Sequence, residues 1–243
     1  MDRVAVVGPT TWGTTLGIIL ARKSLSVTVL ARTAQEASTL QADRENSRFL
    51  PGVEFPESLQ VSHQPTQALD NAGMVVLAVP SSTFRDNLRR LQGAISGAPI
   101  FLSASKGLEM DTGRSMSQVL QDELPGALHT RIAVLSGPNL ALEIIRGNPA
   151  STVVAAKDLR VAEEAQEALM SPTFRVYTND DIIGVELGGA LKNIIALGSG
   201  MCDGLGYGDN GKAAFMTRGL AEITRLGIAA GASPITFAGL AGL

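Results

Sequence analysis

The sequence is poor in cysteine, in aromatic residues and in charge of either sign. Its single cysteine, Cys202, excludes an intrachain disulfide and any zinc site built on several thiolates, and it fits a reducing compartment. Aromatic residues make up only 4% of the 243 residues, so the core must consist mainly of Val, Ile, Leu and Ala. The net charge of −3 gives no general reason to expect a nucleic acid or an acidic membrane as partner.

Targeting and metal-binding patterns are also missing. The N-terminus leads directly into a strand-like segment without a signal-peptide pattern, and no apolar run approaches the roughly 20 residues of a membrane-spanning helix. Neither His63 nor His129 has metal-ligand spacing to another histidine or cysteine. We therefore expect a cytoplasmic protein without a membrane span or a bound metal.

The first part of the chain alternates short apolar segments with helical ones, a pattern typical of βαβ units. Strands are predicted at Arg3–Val7, Ser26–Leu30, Leu59–His63, Met74–Val79, Pro99–Ser103, Ile132–Ser136, Ser151–Ala155 and Phe174–Thr178. Helices are predicted at Gly13–Lys23, Thr33–Ala42, Ser81–Leu91, Arg114–Leu124 and Leu159–Met170. Several strands are almost wholly apolar, which predicts a Rossmann-type α/β fold with a doubly wound, mostly parallel sheet buried on both faces.

After Asp181 the pattern becomes helical, with long segments predicted at Ile183–Cys202 and Lys212–Ala229. We therefore predict a dinucleotide-binding domain over 1–180 and a helical substrate domain over 181–243. The final segment, Phe237–Leu243, is apolar and rich in glycine, whereas chain termini usually extend into water. We expect the chain to stop inside the helical domain.

A glycine-rich turn follows the first strand, in the sequence Gly8-Pro-Thr-Thr-Trp-Gly13. Gly8 permits a sharp turn, and Gly13 lets the following helix pack closely on the strand. The start of that helix presents free N–H groups to a pyrophosphate. Thr10 replaces the middle glycine of the usual motif, where its Cβ narrows the approach to the phosphates and its hydroxyl offers a hydrogen bond. The turn predicts dinucleotide binding.

The second strand ends in Val29-Leu-Ala-Arg32-Thr33, without the acidic residue that takes the ribose 2′-hydroxyl in many NAD sites. A guanidinium instead suits a 2′-phosphate, because it donates charge-assisted hydrogen bonds in a bidentate geometry. Arg32 therefore predicts NADP(H) as the preferred cofactor, with NAD(H) as the second possibility. The alternative is that Arg32 is only a surface charge.

Later motifs resemble those of bacterial NAD(P)-dependent glycerol-3-phosphate dehydrogenases, and the resemblance covers essentially the whole chain. The most specific motif is Glu186-Leu-Gly-Gly-Ala-Leu-Lys-Asn193. The others are Val79-Pro-Ser-Ser-Thr-Phe84, Ser105-Lys-Gly-Leu-Glu109, Ser136-Gly-Pro-Asn-Leu-Ala141, Met201-Cys-Asp-Gly-Leu-Gly206 and Thr217-Arg-Gly-Leu-Ala-Glu-Ile223. The resemblance implies reversible hydride transfer between NAD(P)H and dihydroxyacetone phosphate. The product, sn-glycerol 3-phosphate, would feed glycerophospholipid synthesis.

The resemblance also implies roles for individual residues. Lys192 would be the catalytic proton donor or acceptor, and its apolar helix would lower its pKa by desolvation if that region is buried. The substrate contacts implied are Lys106, Gly137, Asn139, Lys192 and Asn193. Cofactor contacts are implied or predicted at Gly8, Thr10, Thr11, Trp12, Gly13, Arg32, Phe84, Lys106 and Ala141. For Phe84, ordinary core packing is nearly as good an interpretation, and Trp12 could simply close the core under the turn.

Two other functions remain open from the sequence. One is a related dehydrogenase acting on a hydroxy acid or keto acid, and the other is a non-catalytic NADP-binding module. In the family, the chain continues with an acidic catalytic residue and an Arg-Asn pair that contacts substrate phosphate and cofactor. None of these can be assigned here, so the resemblance leaves open whether this chain turns over. A homodimer is also a possibility.

Overall fold

Eight β-strands form one sheet in the computed structural model, which describes residues 1–242. The strands are β1 (Arg3–Val7), β2 (Ser26–Leu30), β3 (Leu59–Ser62), β4 (Met74–Leu77), β5 (Ile100–Ser103), β6 (Ile132–Ser136), β7 (Ala150–Ala156) and β8 (Phe174–Asn179). Their order is β3-β2-β1-β4-β5-β6-β7-β8, and every neighbouring pair is parallel except β6 and β7. The predicted doubly wound, mostly parallel sheet is confirmed.

Helices connect the strands and continue after the last one. They are α1 (Thr11–Arg22), α2 (Ala34–Asp43), α3 (Pro65–Ala68), α4 (Phe84–Leu91), α5 (Met116–Glu123), α6 (Ala141–Ile145), α7 (Leu159–Leu169), α8 (Ile182–Gly204), α9 (Gly208–Ala229) and α10 (Pro234–Phe237). All predicted helices are present, with shifted ends. The short helices α3, α6 and α10 were missed, because one turn gives too few residues for a helical period to show.

Both faces of the sheet are buried, which explains the almost continuous apolar strands. In β1, Val4 and Val6 pack in one core cluster, whereas Ala5 and Val7 pack in a second cluster. The first cluster includes residues of α1 and α7, and the second includes residues of α4 and α5. Because successive side chains of a strand point to opposite faces, the sheet carries a helical layer on each side.

Helix α8 begins where the side chain of Asp181 accepts a hydrogen bond from the N–H of Gly184, at 2.8 Å. The helix then packs against β6 and β7. It has 23 residues and a mean hydropathy of 1.3 over its most apolar window, so by length and composition it is long enough to cross a bilayer. Glu186 and Lys192 lie within this helix, so it is not an uninterrupted apolar run. Core helices of globular proteins pass the same test, and the N-terminal half of α8 lies on the sheet.

Helices α8 and α9 pack closely on each other because glycines leave room for larger side chains. A Cβ at Gly198 would lie 2.1 Å from the ring of Phe215, and one at Gly219 would lie 2.2 Å from Ile195. The helical region predicted after Asp181 is therefore confirmed. The division into domains at residue 180 stays a prediction, since α8 contacts both the sheet and α9.

Candidate active site

Four segments that contain predicted site residues or family-like motifs lie at one edge of the sheet. Gly8 follows β1, Ala78 follows β4, Lys106 lies just beyond β5, and Gly137 follows β6. These four strands are adjacent and parallel, so their carboxyl ends share that edge. Open α/β sheets bind ligands in the crevice outside this edge, and the order of the strands reverses between β1 and β4.

The turn after β1 requires both of its predicted glycines. Gly8 has a φ of 99°, and a Cβ there would lie 2.7 Å from Val79 and 2.9 Å from the carbonyl oxygen of Ala78. A Cβ at Gly13 would lie 2.1 Å from the carbonyl oxygen of Gly8. Any side chain at either position would push α1 or β4 away from β1. The turn thus brings the start of α1 directly over the end of the strand.

Thr10 has a structural role that differs from the one expected. Its hydroxyl donates to the carbonyl oxygen of Ala78 at 2.9 Å and accepts from the N–H of Gly13 at 3.0 Å, which makes Thr10 the N-cap of α1. The single hydroxyl proton is therefore already used within the protein. Thr10 also lines the cavity described below, and its contact with a cofactor stays a prediction.

Thr11 and Trp12 are the first residues of α1, so their backbone N–H groups have no carbonyl acceptor within the helix. These groups and the positive end of the helix dipole suit an anion. The Trp12 ring is half-buried and packs edge-to-face on Phe174, with ring centroids 6.4 Å apart. Core packing, the alternative weighed for Trp12, is therefore present, and its contact with a cofactor stays a prediction.

A cavity of about 280 Å³ extends from the glycine-rich turn along the ends of β1, β2 and β4. Its lining residues are Val7, Gly8, Pro9, Thr10, Leu30, Ala31, Arg32, Glu36, Arg48, Phe49, Val79, Pro80, Thr83, Asn87 and Arg90. It has an apolar inner part and a charged outer end, as the adenosine portion of a dinucleotide requires. Arg32 is exposed at that outer end, where the sequence placed it. A larger cavity, about 490 Å³, includes Arg3, Ser26 and Asp70, but no predicted site residue lines it.

The aromatic contact expected from Phe84 needs correction. Phe84 has no exposed surface and belongs to the core cluster that packs α4 against the sheet. A side chain without exposed surface cannot touch a ligand, so the core-packing interpretation holds. Phe49 lines the cavity instead, with the guanidinium of Arg48 4.9 Å from its ring centroid. The sequence predicted only a loop there, and no periodic pattern marks a loop residue as a cavity wall.

Lys106 lies beside the segment that follows β6. Its ammonium donates to the carbonyl oxygen of Gly137 at 3.1 Å, and burial lowers its pKa. Gly137 is buried, and a Cβ there would lie 3.0 Å from the Cα of Thr152. The amide of Asn139 donates to the Thr152 hydroxyl at 2.9 Å. The structure therefore brings together Lys106, Gly137 and Asn139, three of the residues assigned to the substrate.

Lys192 reaches the same edge from helix α8. A Cβ at Gly189 would lie 2.1 Å from the Ser136 hydroxyl, so the missing side chain lets α8 lie directly on the end of β6. The Lys192 ammonium donates to the carbonyl oxygen of Leu240 at 3.0 Å. Desolvation, with a smaller contribution from the charge of Lys106, lowers the pKa of Lys192 to about 8. The expected desolvated lysine is present, and a second cation lies close enough to affect it.

Two other predicted site residues are not drawn into this cluster. Asn193 is exposed on α8, and Ala141 is a half-buried residue at the first position of α6. Their roles toward substrate and cofactor stay predictions. Within residues 1–242, the structure contains no group of three His, Cys, Asp or Glu side chains arranged to hold a metal ion.

Glu186 is a residue whose importance the sequence did not reveal. The carboxylate of this half-buried residue accepts hydrogen bonds from the Ser115 hydroxyl at 2.7 Å, from the Ser117 N–H at 2.8 Å and from the Ser117 hydroxyl. Burial raises the pKa of Glu186, and these hydrogen bonds act in the opposite direction. The carboxylate therefore ties α8 to the N-terminus of α5. The sequence shows that Glu186 lies six positions before Lys192, but the serines that it contacts are far away in the sequence.

Comparison with known proteins identifies the family. The models of the N-terminal and C-terminal parts of NAD-dependent glycerol-3-phosphate dehydrogenase match residues 3–162 and 181–243. The chain belongs to this family. Glycerol-3-phosphate dehydrogenase (NAD(P)+) of Dehalococcoides mccartyi is 50% identical over all of this chain, which spans 68% of that relative. The Moorella thermoacetica enzyme of the same name is 49% identical, and the chain spans 71% of it.

A solved structure supports the same family. The crystal structure of glycerol-3-phosphate dehydrogenase from Coxiella burnetii matches 99% of this chain with a TM-score of 0.91 and 35% sequence identity. This chain covers 73% of that protein. The glycerol-3-phosphate dehydrogenase family therefore accounts for both the sheet and the helical region, including the Lys-Asn helix α8.

Proposed function

We propose that this chain transfers a hydride reversibly between NAD(P)H and dihydroxyacetone phosphate, forming sn-glycerol 3-phosphate. The proximity of Lys106 and Lys192, at the same edge of the sheet as the glycine-rich turn, carries this proposal. Two ammonium groups at one sheet edge suit a small phosphorylated ketone, because they attract its phosphate dianion and its developing alkoxide. The family relationship gives the substrate its identity, since its members are named for glycerol 3-phosphate.

The residues present fit a dinucleotide. Gly8 and Gly13 let the backbone approach closely, and the N–H groups of Thr11 and Trp12 suit a pyrophosphate. The cavity beyond the turn has room and polarity for the adenosine end. When bound, the cofactor supplies or accepts the hydride. Arg32 at the outer end supports a preference for NADP(H).

Lys192 acts on the oxygen that gains or loses a proton. In ketone reduction its ammonium donates a proton to the oxygen as negative charge develops there, and in the reverse reaction its neutral amine accepts that proton. A pKa of about 8 makes both forms accessible near neutral pH. Lys106 holds a positive charge next to Gly137 O, where it orients the substrate and stabilises the alkoxide.

Three further aspects of the function stay predictions. A product with the glycerol 3-phosphate skeleton would supply glycerophospholipid synthesis. The buried single cysteine and the nicotinamide chemistry are compatible with a cytoplasmic enzyme. Assembly as a homodimer stays a prediction.

The experiment that tests the proposal is an assay of NADPH oxidation by this chain. Absorbance at 340 nm should fall when both NADPH and dihydroxyacetone phosphate are present, and equilibrium fluorescence should report NADPH binding without substrate. Hydroxy-acid and keto-acid substrates serve as controls for a related dehydrogenase. Faster oxidation with a keto acid would contradict the proposed substrate, and binding without oxidation would favour a non-catalytic module.

A further inference from the structure

Three arginine side chains surround the outer end of the nucleotide cavity, and each belongs to a different element. Arg32 follows β2, Arg48 lies in the loop after α2, and Arg90 lies on α4. All three are exposed. The one carboxylate in the lining is Glu36, so the charged lining groups carry a formal excess of two positive charges. Three arginines that line one opening with such an excess suit a doubly charged anion.

Arg90 reaches across the cavity toward the end of β2. Its Nη2 donates to the carbonyl oxygen of Arg32 at 3.4 Å. Arg90 and Arg32 therefore belong to different elements that line the same opening. The neighbouring residue on the helix, Arg89, turns the other way and pairs with Glu123 at 2.8 Å. Among the ion pairs of residues 1–242, none involves Arg90, Arg32 or Arg48. Their charges are therefore available to a ligand.

Glu36 fixes the backbone at this point and forms no ion pair with the three arginines. Its carboxylate accepts from the backbone N–H of Arg32 at 2.9 Å, and its own N–H donates to the Thr33 hydroxyl at 3.2 Å. These two bonds hold the start of α2 against the end of β2. The helix cap thus fixes the backbone of Arg32, while its guanidinium forms no ion pair with any described residue and is available to the same ligand as that of Arg90.

We propose that Arg90 is a specificity-determining residue that binds the 2′-phosphate of NADP(H) together with Arg32. The proposal rests on the proposed function, because it assumes that the adenosine end of the cofactor occupies this cavity. A ribose hydroxyl offers no charge to a guanidinium, whereas a phosphate monoester accepts bidentate, charge-assisted hydrogen bonds. Arg90 therefore distinguishes the two cofactors and contributes little to binding of NAD(H).

The test compares dissociation constants of NADPH and NADH for Arg90→Gln and for Arg89→Gln, the matched control on the same helix. Loss of a hydrogen bond to a charged group corresponds to about tenfold weaker binding. We expect Arg90→Gln to weaken NADPH about tenfold and to leave NADH unchanged, and Arg89→Gln to affect neither. Arg90→Lys should fall between wild type and Arg90→Gln, since it keeps the charge but not the bidentate geometry.

A double-mutant cycle with Arg32→Gln shows whether the two arginines share one phosphate. If they do, the loss in the double variant should differ from the sum of the single losses for NADPH and not for NADH. Equal effects of Arg90→Gln on both cofactors, or none on either, would overturn the assignment of Arg90. Failure of the proposed function would look different, because NADH binding or the reduction of dihydroxyacetone phosphate would then be missing in the unsubstituted chain.

Discussion

The two ends of the candidate cleft are built in different ways. At the nucleotide end, the glycine-rich turn is a single local segment from Gly8 to Gly13, and exposed arginines from three other segments line the cavity beyond it. The lysine end joins Lys106, after β5, to Lys192 on α8. There the cations are partly desolvated and donate to backbone carbonyl oxygens, those of Gly137 and Leu240.

Under the proposed function, this difference separates binding of the cofactor from proton transfer to the substrate. At the nucleotide end, a turn positions backbone N–H groups and needs no shift in any pKa. At the lysine end, the pKa of Lys192 depends on how tightly α8 packs on β6 and on the nearby charge of Lys106. Substitutions at the lysine end should therefore change turnover more than binding of the cofactor, and those at the nucleotide end should do the opposite.

The largest expected effect is that of Lys192→Ala. Removal of a general acid or base usually lowers the rate about 10²- to 10⁴-fold. We expect NADPH oxidation on dihydroxyacetone phosphate to fall by that amount, while the dissociation constant of NADPH changes less than about twofold. Steady-state kinetics and fluorescence titration measure the two quantities. If the variant retains wild-type turnover, Lys192 does not take part in the proton transfer, and the proposed difference between the two ends is wrong.

The next largest effect is expected for Glu186, which ties α8 to α5. In Glu186→Ala the N–H of Ser117 and the hydroxyls of Ser115 and Ser117 lose a charged acceptor, which costs about 1–3 kcal/mol. Glu186→Gln keeps one carbonyl acceptor and removes the desolvated charge, so it should lose less. Urea unfolding measures the free energy of both variants.

A readout at Lys192 separates positioning from general stability. If Glu186 also fixes α8 over the sheet, Glu186→Ala should lower kcat at a temperature where the variant is fully folded, and Glu186→Gln should restore most of it. Equal unfolding free energies for wild type and Glu186→Ala would show that these three hydrogen bonds contribute nothing measurable.

The sequence was sufficient for most of the sheet and for the geometry of the glycine-rich turn. Strands β1, β2 and β6 have the bounds predicted for them, because apolar segments buried on both faces leave a clear pattern. The glycines at positions 8 and 13 were assigned correctly, because a turn is a local feature. Thr10 was harder, since its hydroxyl donates to the carbonyl oxygen of Ala78, a residue that follows strand β4 and is distant in the sequence.

The lysine end could be reached only through a resemblance. Nothing in the residues next to Lys192 reveals that Leu240 or Lys106 lies beside it, and nothing near Glu186 reveals Ser115. Phe84 shows the opposite error, because a motif suggested a ligand contact where the fold buries the ring completely. Local patterns predict backbone geometry, whereas contacts between distant segments depend on tertiary packing.

Two glycines of α8 provide a smaller, internally controlled test. A Cβ at Gly189 would lie 2.1 Å from the Ser136 hydroxyl, whereas a Cβ at Gly200 would meet no atom within 4 Å. We expect Gly200→Ala to stabilise the protein by up to about 1 kcal/mol through helix propensity. Gly189→Ala should destabilise it by about 1–3 kcal/mol, because α8 must move away from β6. Thermal unfolding of both variants measures the difference, and equal stabilisation would show that the close approach at Gly189 is unnecessary.

The smallest effect expected concerns the charge of Lys106. Desolvation is the main cause of the low pKa of Lys192, and repulsion by Lys106 is the lesser cause. Lys106→Met removes only the repulsion, so the pKa of Lys192 should rise above about 8 and stay below its usual 10.5. Only a neutral amine reacts with an acylating reagent, so the labelling rate of Lys192, read by peptide mass spectrometry across pH, gives this pKa without requiring turnover.

The change in the pKa of Lys192 in this variant shows whether the charge of Lys106 contributes to that pKa. A higher midpoint in Lys106→Met means that the two ammonium groups affect each other across the site, as one site for a doubly charged substrate requires. An unchanged midpoint would mean that the apolar packing of α8 alone tunes Lys192. The pH dependence should follow, because proton donation during reduction is lost as pH rises through the pKa of Lys192. In Lys106→Met, that loss should therefore occur at a higher pH than in the unsubstituted chain.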